Sequence, residues 1–101
     1  MIVVNSIGEL RKVIRQRIKE QGFNCNLNDI DVSRVDDMSS LFTWSKFDGD
    51  ISEWDVSNVK NMNSMFMGSR FSGDISKWDV SKVEDMSSMF AHTSFNGDIS
   101  N

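Results

Sequence analysis

Apolar residues in this chain fall into the same order three times over. From Asp31 the run DVSRVDDMSSLFTWSKFDGDISEW is followed without a gap by DVSNVKNMNSMFMGSRFSGDISKW from Asp55 and DVSKVEDMSSMFAHTSFNGDISN from Asp79, a period of 24 residues. A fixed period of this size marks structural repeats. In the second copy Val59, Met62, Met65 and Phe66 stand at i, i+3, i+6 and i+7, which predicts a helix of about two to three turns. Ser57 precedes it as a cap, and Ser81 with Glu84, like Ser33 with Asp36, has capping-box spacing. The helix is expected to stop near Gly68. Phe71 and then GDISKWDV bring β-branched and aromatic residues in partial alternation, with Trp78 and Val80 two apart, which predicts a short strand.

One short strand and one two-turn helix are each unstable alone, so the units must stack. Stacking would make Leu27 to Val32, Ile51 to Val56 and Ile75 to Val80 neighbours in a parallel sheet, with helices as the other wall and Met, Phe and Trp between them. The expected fold is therefore α/β, a short solenoid of strand–helix repeats at 31–54, 55–78 and 79–101. Residues 1–30 form its expected N-terminal cap, a helix over about 7–21 plus the first strand. Ser6 and Glu9 are in capping-box register there, Leu10, Val13, Ile14 and Ile18 share one face, and Gly22 follows Lys19 as a stop. Arg11, Arg15, Arg17 and Lys19 are expected to face water. At the other end NGDISN halts one residue short of the position held by Trp54 and Trp78, so Phe95 and Ile99 would end the core at an open edge. Such an edge offers a surface for a homodimer.

The string FxGDISxWDVSxVxxMxSMF resembles the BspA-like leucine-rich-repeat family, the repeats of bacterial and mycoplasma surface lipoproteins. The resemblance covers residues 31 to 101, with the same Trp, Asp-Val-Ser, Met-Phe and Gly-Asp-Ile-Ser positions in register. It implies an LRR-like α/β solenoid used for recognition and adhesion. Only three copies are present, and no lipoprotein signal is expected.

Composition narrows the function. The chain has 101 residues, 39% hydrophobic and 26% charged, a balance suited to one soluble domain. Eleven Lys and Arg against fifteen Asp and Glu make the net charge −4, which argues against nucleic acid as a direct ligand. The single cysteine, Cys25, has no intramolecular partner for a disulfide and is expected as a small buried side chain. The apolar stretch at the N-terminus is too short for a signal peptide, and no run reaches transmembrane length, so a cytoplasmic protein without membrane contact is expected.

No catalytic constellation is legible. His92 is the only histidine and lacks a partner for acid–base work, and no phosphate loop or paired-cysteine zinc spacing occurs. An enzyme is not expected, nor a cofactor. Asp50, Asp74 and Asp98 would form one column and Asp31, Asp55 and Asp79 another. Single carboxylates supply too few oxygens for calcium, so turn and backbone capping is the expected role and no metal is. Residues that differ between copies are the better place to seek function, because the scaffold does not dictate them. Trp44, Lys46, Met67, Arg70 and His92 in the loops, with Glu53 and Lys77 on the strand column, are the candidate partner-binding residues. Exposed tryptophan is common in binding hot spots.

The expectation is a non-enzymatic protein–protein interaction module with an intracellular protein partner. One alternative is an inhibitor from a phage or other mobile element, anti-CRISPR-like, docking acidic residues into the basic channel of a nucleic-acid enzyme. The other is a fragment of a surface adhesin.

Overall fold

The N-terminal helix begins where a polar side chain can take its first free amide. A computed structural model describes residues 1–95, so Asp98, Ile99 and the open C-terminal edge expected there lie outside the described residues. Strand β1 (Ile2–Val3) leads into helix α1 (Ile7–Gln21). Ser6 Oγ accepts the Glu9 amide at 3.2 Å and Glu9 Oε1 accepts the Asn5 amide at 2.7 Å, so the capping box closes one residue before the cap. Gly22 ends the helix at φ 89°, its amide donating to the Ile18 carbonyl at 2.7 Å. Leu10 and Ile14 are buried, with Val13 and Ile18 packed partly against the same core. Of the basic residues expected in water, Arg17 instead reaches Asp29 through two hydrogen bonds of 2.9 and 2.8 Å, and Arg11 donates to the Ser39 carbonyl at 3.0 Å.

The first strand is shorter than expected and has a partner that the pattern did not indicate. Strand β2 (Ile30–Asp31) pairs in parallel with β1, Ile2 opposite Ile30 and Val3 opposite Asp31.

The expected α/β solenoid of strand–helix repeats is not what forms. Among the described residues there is one helix, α1, and one two-stranded sheet. Where strands were expected, the chain turns: the Trp54 amide donates to the Ile51 carbonyl, Trp78 to Ile75, and Val59 to Val56, each a three-residue closure. Where helices were expected, turns again follow one another, Met65 to Met62, Met67 to Ser64 and Ser69 to Phe66. Left-handed backbone at Ser40, Trp44, Ser64, Gly68, Ser88 and His92, with φ between 56° and 65°, interrupts any α-helix. The amides that a helix would use internally go sideways: Met62, Ser64, Phe66 and Gly68 donate to the carbonyls of Asp85, Ser87, Met89 and Ala91. Each turn closes across three residues, and Val59, Met62 and Met65 are buried at the same spacing a short helix would give.

The serines read as helix caps have another role. Ser57 donates both its amide and its hydroxyl to Asp55 Oδ1, at 3.1 and 2.6 Å, and Ser33 does the same to Asp31. These are Asx turns, in which the aspartate bends its own backbone.

Residues 24 apart in sequence lie next to one another, and that neighbourhood makes the core. Phe42, Phe66 and Phe90 stack at centroid distances of 5.6 and 5.7 Å, and Phe47, Phe71 and Phe95 at 6.2 and 6.0 Å. Trp54 stacks on Trp78 at 6.4 Å, their indole N–H groups donating to the carbonyls of Leu27 and Ile51. The buried indoles thus keep their one polar group satisfied. Single parallel pairings join Asn26 to Asp50, beside the expected strands, and Asn61 to Asp37 and Asp85, where helices were expected. Gly49 explains the glycine of the Gly-Asp-Ile-Ser motif: a Cβ there would collide with the Cys25 carbonyl.

Candidate functional site

Backbone hydrogen bonds set five of the seven candidate residues side by side. The Trp44 amide donates to the Met67 carbonyl at 2.8 Å, the Gly68 amide to the Ala91 carbonyl at 2.8 Å, and the Arg70 amide to the Ser45 carbonyl at 3.1 Å. Trp44 to Lys46, Met67 to Arg70 and Ala91 to His92 therefore form neighbouring segments of one edge. Lys46, Arg70 and His92 are exposed there and Met67 is half-buried.

Trp44 is 66% exposed, an unusual state for the largest apolar side chain. Its ring stacks on the imidazole of His92 with centroids 6.0 Å apart and planes 20° apart, although 48 residues separate them. Gly68 makes this contact feasible. It occupies the equivalent position in the intervening copy, and a Cβ there would sit 2.5 Å from Trp44 Cδ2 and Cζ3. The indole lies flat across the bare glycine backbone and reaches the next copy. Gly68, expected near the end of a helix, matches Trp44 and His92 in the 24-residue register, and the structure makes it the floor beneath the indole.

Glu53 and Lys77 are not part of this edge's contacts. They pair with each other at 3.4 Å, both side chains more than half exposed. Such a pair contributes about 0–1 kcal/mol. The Glu53 backbone amide also donates to Asn28 Oδ1 at 2.9 Å, and Glu53 lines a cleft with Met1, Asp31 and Asp55. The candidate surface thus divides into an aromatic shelf with flanking cations and a separate ion pair beside the N-terminal strand.

Asp31, Asp50, Asp55, Asp74 and Asp79 each accept the amide of the serine two residues on. The hydroxyls and amides of Ser33 and Ser87 hold the Asp31 and Asp85 carboxyls below their usual range, and the Ser52 amide foremost does so for Asp50. Arg17 lowers Asp29 in the same way, through its side-chain hydrogen bonds. Cys25 is buried, which pushes its thiol up. Among the described residues no three His, Cys, Asp or Glu side chains converge as metal ligands. No helix among them is long and apolar enough to cross a membrane.

Taken together, the described chain is a scaffold of turns around aromatic columns that presents one flat, solvent-facing indole. The family model described as Mycoplasma protein of unknown function, DUF285, matches residues 9–101, and the chain belongs to that family. No curated protein and no solved structure matches it.

Proposed function

We propose that this protein is a non-enzymatic interaction module that binds a protein partner through the Trp44 shelf. The observation that carries this reading is the indole's exposure together with its fixed orientation over Gly68 and against His92. A flat aromatic surface already immobilised loses little side-chain entropy when a partner covers it, the economy on which binding hot spots rest. Half-buried Met67 extends the apolar area, and Lys46 and Arg70 give it a cationic rim. The finer kinship with the BspA-like leucine-rich-repeat proteins, drawn from the shared string, belongs to this proposal and supports a recognition role.

The test is an affinity capture from cells of the source organism with wild-type protein, Trp44→Ala and Glu53→Lys, each first shown to unfold at a similar temperature. A partner held by wild-type and by Glu53→Lys but lost from Trp44→Ala is the expected result. Equal recovery with Trp44→Ala would remove the shelf as the binding surface.

A further inference from the structure

Helix α1 carries five Lys and Arg against two Glu, in a chain whose net charge is −4. Its basic side chains are not all spent on the fold. Arg17 is engaged by Asp29 and Arg11 by the Ser39 carbonyl, whereas Arg15 makes no hydrogen bond or ion pair among the described residues. Arg11 and Arg15, one helical turn apart, border a groove of about 300 Å³ whose walls are Ile14, Ile18, Phe23 and Leu41. Phe23 stands at its mouth, 46% exposed. The groove shares no lining residue with the Trp44 shelf.

We propose that this groove docks a short acidic segment of another protein, one bulky apolar side chain entering between Ile14, Ile18, Phe23 and Leu41 while flanking carboxylates meet Arg11 and Arg15. Size and charge together favour this occupant. A cavity of this volume takes one or two side chains, not a folded surface, and the guanidinium groups at its rim attract carboxylates and repel cations. The chain's own Trp44 is a poor fit, since Lys46 and Arg70 accompany it. Met1 is the self-derived competitor, because it lies beside Asp31, Glu53 and Asp55.

The probes are fluorescein-labelled dodecapeptides with one Phe and one Leu among Asp and Glu, the two apolar residues spaced by two, three or four positions. Fluorescence anisotropy with the full chain is expected to show binding of at least one. That peptide should bind about tenfold or more weakly when its acids are replaced by Lys, when its Phe and Leu become Ala, or when the protein carries Arg15→Glu or Phe23→Ser. Both substitutions fall on exposed positions, and unchanged melting temperatures show that the fold survives. Binding by no acidic peptide, or equal binding of the Lys and Ala versions, overturns the proposal. So does a concentration-dependent dimer in sedimentation that Arg15→Glu dissolves, which would assign the groove to a second copy.

Discussion

Replacing Gly68 by alanine should cost stability in two separable parts. The backbone at Gly68 has φ 65°, and holding an alanine there costs roughly 1–2 kcal/mol. Trp44 and His92 already carry such a conformation at the equivalent positions, so the fold can bear it. The second part is steric. The new methyl group would overlap the Trp44 ring, and because that ring faces solvent it would swing away and lose its stack on His92, a further ~0.5–1.5 kcal/mol. The sum is roughly 1.5–3.5 kcal/mol, a large share of what holds a domain of this size together. A double-mutant cycle separates the parts. In a Trp44→Ala background the stack is already gone, so Gly68→Ala should cost only the backbone share, and the double variant should be more stable than the sum of singles by about 0.5–1.5 kcal/mol. Urea unfolding followed by circular dichroism reads all four proteins, with Trp54 and Trp78 fluorescence as a second probe of the core. Strict additivity would show that the indole does not rest on Gly68, and the shelf would lose its basis.

Two further outcomes test the polar and buried groups. The carboxyls of Asp29, Asp31, Asp50 and Asp85 are held below their usual range, so their contribution is present above the unfolded value near about 4 and is lost as pH falls through the folded values. The urea midpoint should therefore fall on acidification from pH 5 toward pH 2, with a shallower fall in Asp29→Asn; an unchanged slope in that variant would deny Arg17 its role. Cys25, 6% exposed and with its thiol pushed up by burial, should resist a disulfide reagent at neutral pH until the protein is unfolded in urea. Rapid labelling of the native protein would mean that the groups around Cys25 open far more readily than its burial implies.

The residues that face inward were legible because burial follows spacing. Met62, Met65, Phe66, Phe71, Ile75 and Trp78 are buried as the apolar pattern required, and the cap helix runs over Ile7–Gln21 from Ser6 as the capping signals indicated. The backbone between those side chains was misread. A stripe at i, i+3 and i+6 suits a short helix and a run of three-residue turns alike, and the Asp-x-Ser triplets that decide for turns look like helix caps when the serine alone is considered. The β1–β2 pairing was also illegible, because two residues carry too little alternation to signal a strand.

By itself, the sequence determined the 24-residue period, the inward set of Phe, Met, Trp and Ile, and the residues free to vary on the outside, since each depends only on the order of apolar and polar side chains along the chain. The tertiary structure alone decided which backbone amides would be satisfied by carbonyls of a neighbouring segment. It also decided that Trp44 would cross Gly68 to meet His92. The physical reason is the same in both cases: these bonds and contacts join residues about 24 or 48 positions apart, and no local preference records them until neighbouring segments lie side by side.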